Sequence, residues 1–337
     1  MNSPVSLLPN DSGLGDRIDR RMAEVESRLR QVVRSSSAFV DKATSYLALA
    51  GGKRLRPLLC LLAAELGPRP ESERVYDVAL TVELTHLASL YHDDVMDEAP
   101  LRRGVPTAQR LFGNSAAIMA GDVLFARASA LVAQAGPQAV LLHAQAFERL
   151  CVGQLNETAG PVPGCDPIDH YLQVLADKTG SLIAVSARHG ALAGGASEEI
   201  ARAVAMYGEK IGVAFQLADD VIDLVSDPQL TGKTPGTDLL ENVSTMPTLL
   251  LRRQAADGSL DGEGKEILRL LDGGRLREDH NLERAMGLLR AHSVVDETRS
   301  LAEKWSAQAL EQLEMLPDSE VKQAFSAFAG AMVHRMA

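Results

Sequence analysis

The chain has 337 residues, of which 46% are hydrophobic and only 4% aromatic, and it carries a net charge of −11. This length allows one large domain or two smaller ones with a sizeable core. The negative charge argues against nucleic acid as a partner. The three cysteines have no metal-ligand spacing and suggest no disulfide framework, which fits a reducing cytoplasm. The N-terminus has no signal-peptide pattern, and no uninterrupted apolar run of about 18 residues predicts a membrane span.

Apolar residues recur at steps of three and four along most of the chain, which predicts an all-α protein. A frayed polar tail is expected over residues 1–15, followed by a single all-α domain over residues 16–337, because no strand alternation or convincing domain boundary interrupts the pattern. The alanine-rich helix over residues 114–134 is expected to be central. The predicted helices cover residues 16–33, 41–50, 58–66, 72–97, 114–134, 138–158, 168–193, 197–223, 247–254, 265–272 and 280–292, with two more between 295 and 337.

Two polar stretches stand out among these helices. Lys53, Arg54 and Arg56 precede the helix predicted from residue 58, and basic side chains at a helix start form an anion site. An ordinary basic surface patch is the alternative. Lys178 and Thr179 precede Gly180 inside a predicted helix, where a glycine costs about 1 kcal/mol relative to alanine, so a bend is predicted. A lysine in solvent is the alternative there.

The first acidic motif ends the helix predicted over residues 72–97. Asp93 and Asp97 stand four residues apart, so they would share one helix face, with Asp94 beside them. Two carboxylates that close repel each other unless a cation lies between them. Hard oxygen ligands without a nearby cysteine favour Mg²⁺ or Mn²⁺. A lone motif of this kind is equally well explained by an acidic turn in solvent.

The same spacing recurs at Asp219, Asp220 and Asp223, again among apolar residues. Two such motifs are hard to explain as solvated faces. If their helices face each other, the carboxylates form a cage, and Mg²⁺ prefers a few carboxylates combined with phosphate oxygens and water. The predicted ligand is therefore a diphosphate held through metal ions.

Five segments resemble those of trans-isoprenyl diphosphate (polyprenyl) synthases in order and spacing. They are GGKRLRP from Gly51, HDDVMDEAPLRRG from His92, DKTGSL from Asp177, FQLADDVIDL from Phe215 and GKTPGTDL from Gly232. The resemblance implies an antiparallel all-α bundle around a deep central cavity, of the isoprenoid synthase type, and usually a homodimer. It also implies head-to-tail condensation of isopentenyl diphosphate with an allylic diphosphate such as farnesyl diphosphate.

The resemblance also implies a role for each polar residue of these segments. Three Mg²⁺ ions, or Mn²⁺ in their place, would be held by Asp93, Asp97 and Asp219. Support for these ligands would come from Asp94, Asp220 and Asp223. The allylic diphosphate would also contact Arg102, Lys178, Thr179, Gln216 and Lys233, of which Arg102 and Lys178 would act with the metal aspartates in catalysis. Isopentenyl diphosphate would contact Lys53, Arg56, His86 and Arg103.

Two positions bear on the details of such a reaction. Ala88 and Ser89 lie one turn, about 5.4 Å, before Asp93. In the family a bulky aromatic residue at these positions stops growth of the prenyl chain early. The small residues here therefore imply a product longer than geranylgeranyl diphosphate, and that product would be handed to a membrane. A short-chain farnesyl or geranylgeranyl synthase is the alternative. Val243 stands where the family often has a lysine, so one cation to the allylic diphosphate is expected to be missing.

Three other classes compete with this interpretation. A class I terpene cyclase shares the first motif, but its second metal motif is usually an Asn/Asp–Ser–Glu pattern. A di-iron bundle needs two Glu-x-x-His copies, and only Glu83 to His86 spells one. A non-catalytic subunit of a heteromeric synthase is expected to lose metal aspartates, whereas all six are present.

Overall fold

The computed structural model describes residues 13–225, 236–240, 243–274, 276 and 280–333. These residues are almost wholly helical, which confirms the all-α class. Strands occur among them only as the antiparallel pair Leu101–Arg102 (β1) and Val105–Pro106 (β2). The chain forms two compact units. The first takes in the described residues of Met1–Leu150, Ser181–Glu209 and Gln312–Phe328, and the second those of Cys151–Gly180, Lys210–Glu311 and Ala329–Ala337.

The helices follow the order of the predicted ones. Up to the first long loop they are α1 Gly13–Val32, α2 Ala38–Leu49, α3 Leu55–Ala64, α4 Glu73–Met96, α5 Ala108–Phe112, α6 Asn114–Ala135 and α7 Pro137–Ala159. Next come α8 Pro167–Leu175, a π-helix at Ala176–Gly180, α9 Ser181–Gly194 and α10 Glu198–Val225. The remainder are α11 Thr237–Leu240, α12 Met246–Asp257, α13 Gly262–Asp272, α14 Asn281–Ala291, α15 Ser293–Glu311 and α16 Glu320–Val333.

The N-terminal helix begins earlier than predicted. Its apolar face, which includes Ile18, Val25 and Leu29, is buried as the spacing indicates. Leu14 continues that face and is 1% exposed, so the helix gains apolar burial by starting at Gly13. Residues 13–15 are therefore helical and not tail, and the predicted tail over residues 1–12 lies outside the described residues.

The central helix of the first unit is α4. It is buried on nearly every side and packs against α3, α6 and α9. A Cβ atom at Gly190 of α9 would lie 2.0 Å from the Cys60 carbonyl oxygen of α3, so only glycine allows this approach. The expectation that the helix over residues 114–134 is central was wrong, because α6 buries only one side, through residues such as Leu124 and Val132.

By length and composition α6 would also qualify as a membrane span. One such helix is weak evidence, because core helices of soluble proteins meet the same criterion. The side chains of Asp122 and Arg127 interrupt its apolar surface.

The second unit has its own apolar core. The C-terminal part of α10 contributes Leu217, Val221 and Leu224, which pack with Leu250 of α12 and Leu289 of α14. Because the residues between these apolar positions include Asp219, Asp220 and Asp223, the core holds the second aspartate motif on a firmly packed helix.

Candidate active site

The first aspartate motif lies at the C-terminal end of α4. Asp94 is fully buried, and its Oδ1 accepts a hydrogen bond of 2.7 Å from Arg102 Nε and forms an ion pair with Arg102 Nη2 at 2.7 Å. Its Oδ2 is buried without a hydrogen-bond partner among the described residues. Burial raises the pKa of the Asp94 carboxyl, and the Arg102 guanidinium opposes that shift. Asp93 is half-buried and Asp97 is exposed, so the two outer carboxylates remain accessible.

The β1–β2 hairpin carries the two arginines of the same segment in different directions. Arg102 points to Asp94, whereas Arg103 donates from Nη1 to the Leu47 carbonyl oxygen at 3.0 Å and to that of Gly51. Gly104 completes the turn with a φ of 77°. The hairpin thus connects the aspartate motif with the glycine-rich loop before α3.

Three of the residues expected to bind isopentenyl diphosphate come together in the first unit. Burial lowers the pKa of His86 well below its usual value, and the guanidinium groups of Arg56 and Arg103 lower it further. Burial also lowers the pKa of Arg56 to about 10, and Arg56 Nε has no hydrogen-bond partner among the described residues. Lys53, the fourth predicted residue, is exposed at the edge of the same loop. The guanidinium groups of Arg56 and Arg103 beside a neutral imidazole form a half-buried basic cluster that suits an anion, and the Glu83 carboxylate opposes the lowering of both arginine pKa values.

Arg54 holds the loop that carries Lys53 and Arg56. The sequence grouped it with these two residues and predicted no structural role for it. Its guanidinium donates to Glu83 at 2.9 Å, to Glu26 at 3.0 Å and to the Ala48 carbonyl oxygen at 2.7 Å. The Arg54 and Glu83 side chains are 5% and 2% exposed. Arg54 also has a left-handed backbone with a φ of 46°, which is unfavourable outside glycine, so these contacts compensate for local strain.

The second aspartate motif lies on α10 in the second unit. Asp220 is buried and accepts hydrogen bonds from the Tyr171 hydroxyl at 2.8 Å and from the Met246 backbone N–H at 2.9 Å. Burial raises the pKa of Asp220 to about 8. Asp219 is half-buried and Asp223 lies beside the 236–238 turn, where its backbone carbonyl accepts from Gly236 N–H at 3.0 Å. Gln216, one turn earlier on α10, is half-buried.

The bend predicted at Gly180 is a five-residue π-helix, Ala176–Gly180. Such bulges within α-helices are frequently found at functional sites. Here it presents Lys178, which forms an ion pair with Glu157 of α7, and the half-buried Thr179. A Cβ atom at Gly153 would lie 2.6 Å from the backbone nitrogen of Lys178. Glycine at this position therefore lets α7 approach the π-helix closely.

Some positions lie outside this account or were missed. Lys233, predicted to contact the allylic diphosphate, lies outside the described residues. Val243 is 39% exposed. Arg54 was predicted only as part of an anion site, and its role in holding the loop was missed. Tyr171 was not singled out from the sequence, nor was Gln154, whose buried Oε1 has no hydrogen-bond partner in the described part of the chain.

The carboxylate oxygens of both aspartate motifs are metal ligands of the kind that Mg²⁺ prefers. Within the described ranges no three His, Cys, Asp or Glu side chains lie close enough to enclose a metal ion. Magnesium, however, binds through one or two carboxylates and completes its shell with phosphate oxygens and water. The accessible oxygens of Asp93 and Asp97, and the buried unpartnered Oδ2 of Asp94, fit that mode of binding.

Comparison with known proteins identifies the class. The model of the polyprenyl synthetase family matches residues 37–279, and the chain belongs to this family. A nonaprenyl diphosphate synthase of Mycobacterium tuberculosis is 40% identical over 93% of this chain and 92% of that relative. The protein is accordingly a prenyltransferase, as the five segments predicted.

Solved structures agree in fold. A geranylgeranyl pyrophosphate synthase from Corynebacterium glutamicum, complexed with calcium and isoprenyl diphosphate, has a TM-score of 0.84 at 40% identity and covers 97% of this chain and 98% of its own. A decaprenyl diphosphate synthase from Rhodobacter capsulatus has a TM-score of 0.84 at 33% identity, covering 96% and 98%. The isoprenoid synthase type of all-α fold is therefore confirmed.

Proposed function

We propose that this chain is a Mg²⁺-dependent synthase that condenses isopentenyl diphosphate head to tail with an allylic diphosphate such as farnesyl diphosphate. The product would be a trans-polyprenyl diphosphate longer than geranylgeranyl diphosphate. The observation that carries this proposal is that the chain combines two aspartate motifs, whose outer carboxylates are accessible, with a half-buried cluster of Arg56, His86 and Arg103. Two diphosphates need two separate sites of positive charge, one through metals and one through arginines.

The allylic site would use both motifs. Asp93, Asp97 and Asp219 would hold three Mg²⁺ ions, for which Mn²⁺ could substitute, and the metal would neutralise the diphosphate that departs. Asp94, Asp220 and Asp223 would support these ligands. Direct contacts to the diphosphate would come from Arg102, Lys178, Thr179, Gln216 and Lys233. Because charge grows on the leaving oxygen, cations fixed in place beforehand lower the barrier to ionisation.

The second site would hold isopentenyl diphosphate. Arg56, Arg103 and Lys53 would bind its diphosphate, with His86 as an uncharged hydrogen-bond donor because its pKa is low. The double bond would attack the allylic cation, form the new carbon–carbon bond, and lose a proton to the departing diphosphate. Water must be excluded from the cation, and apolar helices such as α4 supply such surroundings.

The product length is proposed from the wall before the first motif. Ala88 is fully buried and Ser89 is 8% exposed, and both are small, so this turn leaves room for a growing chain. The relatives are named for products of different length, nonaprenyl and decaprenyl on one side and geranylgeranyl on the other. We place this chain with the longer products, and a short-chain synthase is the alternative.

The test is incubation of the purified chain with isopentenyl diphosphate, farnesyl diphosphate and Mg²⁺, followed by chromatography of the dephosphorylated products. We expect alcohols longer than geranylgeraniol, and none after metal removal with EDTA. Farnesol or geranylgeraniol as the end product would reject the length. A hydrocarbon formed without isopentenyl diphosphate would instead identify a terpene cyclase.

Ala88→Phe tests the wall itself. The aromatic ring adds bulk one turn below Asp93 without touching the carboxylates, so the main product should become shorter while the first condensation persists. The same chromatography measures it, with Ala307→Phe on the exposed side of α15 as the matched control. An unaltered product would mean that this wall lies elsewhere.

A homodimer is proposed from the exposed apolar side chains of the first unit. Ile118 and Met119 of α6 are 41% and 60% exposed, and Val140 and Leu141 of α7 are 41% and 59% exposed. A second copy that covers these side chains would remove apolar surface from water. Met119→Glu should shift the mass measured by light scattering toward a monomer, whereas Met315→Glu, at a methionine 46% exposed, should not.

We place the enzyme in the cytoplasm, from which its product would pass to a membrane.

A further inference from the structure

Two buried histidines of the first unit have no part in the proposed chemistry. His143 of α7 is 7% exposed, His189 of α9 is 1% exposed, and their ring centroids are 6.2 Å apart. Burial lowers the pKa of His143 to about 4 and that of His189 to about 3, so both rings are neutral near pH 7. Both side chains are therefore buried, polar and uncharged.

The hydrogen bonding of this pair is incomplete. Thr85 Oγ1 donates to the Thr81 carbonyl oxygen at 2.9 Å, so it accepts from His143 Nε2, 3.1 Å away. His143 Nδ1 and His189 Nε2 are buried, and neither has a partner among the residues that the structure describes. Unpartnered buried nitrogens destabilise a fold, so an apolar pair would pack at lower cost. Their presence calls for a functional reason.

The pair meets α4 at Thr85, near the middle of that helix, and so lies away from the first aspartate motif at its C-terminal end. Thr85 is eight residues before Asp93, which places it about 12 Å away along the helix axis. Ser72, the residue before α4, donates from Oγ to the Ala193 carbonyl oxygen near the end of α9 at 3.0 Å. Helix α9 therefore runs antiparallel to α4, and residues of α9 that precede His189 lie nearer to the Asp93 end.

Helix α7 runs in the opposite direction to α9. Phe147 contacts Phe125 of α6 with ring centroids 4.3 Å apart, and Phe125 in turn contacts His92, beside Asp93, at 5.6 Å. Residues of α7 that follow His143 therefore also lie nearer to the Asp93 end.

The α7 and α9 members of an apolar cluster occupy these intermediate positions, whereas its α4 member, Val82, precedes Thr85 and lies farther from Asp93. The cluster consists of Val82 of α4, Ala146 and Leu150 of α7, and Leu182 and Val185 of α9. By helical spacing Ala146 and Leu150 share a face with His143, and Leu182 and Val185 share one with His189. On α7 and α9 the histidines thus end an apolar stripe that starts toward the aspartates.

We propose that Thr85, His143 and His189 form a polar stop at the deep end of the hydrocarbon path, which ends chain growth by polarity and not by bulk. This inference deepens the proposed function and rests on it. A hydrocarbon end that reaches the pair must cover two nitrogens that already lack partners. It must also separate Thr85 from His143 without offering a hydrogen bond in return, which is unfavourable for buried polar groups.

The test compares substitutions that separate polarity from size. His143→Leu combined with His189→Leu removes the polar atoms without creating space, and we expect the main product to lengthen by at least one isoprene unit. His143→Gln keeps a polar end at that position and should restore the wild-type length. His292→Leu is the matched control, because His292 is 5% exposed and belongs to the second unit. Product ratios from labelled isopentenyl diphosphate are independent of total turnover.

Several outcomes would overturn the inference. The double leucine variant could be folded by circular dichroism and still make the wild-type products. Lengthening could instead appear only with alanine at both positions, which would identify a wall of bulk. If the double variant does not fold, Thr85→Val removes the hydroxyl with little change of shape, and an unchanged product would again count against a polar stop. Absence of any prenyl product from the wild type would reject the proposed function itself.

Discussion

The two aspartate motifs share one spacing, but their middle aspartates are buried among different partners. Asp94 in the first unit faces the charged guanidinium of Arg102. Asp220 in the second unit faces two neutral donors, the Tyr171 hydroxyl and the Met246 backbone N–H. The outer aspartates of each motif are more accessible than the middle one. A repeated sequence pattern therefore fixes the division between accessible and buried carboxylates, while the local fold decides how the buried one is stabilised.

The difference extends beyond the motifs themselves. In the first unit the buried Glu83 is also paired with a charged group, Arg54, at 2.9 Å. Neutralising a buried carboxylate should therefore lower the free energy of unfolding strongly in the first unit and only slightly in the second. Removing the acceptor oxygen should lower it clearly in the second unit as well.

The largest effect is expected at the outer aspartates. Asp93→Asn or Asp219→Asn removes a charged metal ligand while leaving the shape unchanged, so turnover should fall roughly 100-fold or more. The thermal midpoint should change little because these carboxylates are only half-buried. Steady-state kinetics at saturating Mg²⁺ measure the effect, with Asp318→Asn, a carboxylate that is 98% exposed, as the control. Near-wild-type turnover in both variants would contradict the proposed metal sites.

The next largest effect compares neutralisation in the two units. Glu83→Gln keeps an acceptor oxygen but leaves Arg54 without its most buried counter-charge, so the free energy of unfolding should fall by about 3 kcal/mol. Asp220→Asn also keeps an acceptor, and its donors are neutral, so the loss should stay below about 1 kcal/mol. Urea unfolding of both variants provides the measurement. Equal losses would show that the charge of the partner does not matter.

A smaller effect separates acceptor from charge at Asp220. Asp220→Ala leaves the Tyr171 hydroxyl and the Met246 N–H without their buried acceptor, so stability should fall by about 2 kcal/mol. Tyr171→Phe removes one hydrogen bond and should cost about 1 kcal/mol. Thermal unfolding of these variants beside Asp220→Asn supplies the comparison. If alanine and asparagine were equivalent, the two hydrogen bonds would contribute nothing to stability.

These partners mark the limit of what the sequence could predict. Helical spacing identified both motifs and most helices, and Gly180 indicated the place where the π-helix forms. Tyr171 stands 49 positions from Asp220, so no local pattern connects them. The apolar composition of α6 suggested burial, yet apolar composition cannot distinguish a core face from one that a second chain could cover.

The smallest effect concerns Val243, where the second unit lacks a cation that the family often has. Val243→Lys would add one positive charge to a segment whose Val243 N–H donates to the Asp238 carbonyl oxygen at 2.8 Å. A buried charge-assisted hydrogen bond contributes about 1.5–3 kcal/mol. Val243 is 39% exposed, so solvent screening should reduce the gain to about 1 kcal/mol or less. The Michaelis constant for the allylic diphosphate should therefore fall up to about fivefold, with no change for isopentenyl diphosphate.

Ser244→Lys, at the exposed neighbouring position, controls for a nonspecific effect of added charge. If the constant for the allylic substrate is unchanged or higher in Val243→Lys, another cation already occupies this role, and the two units do not differ in the way the valine suggests.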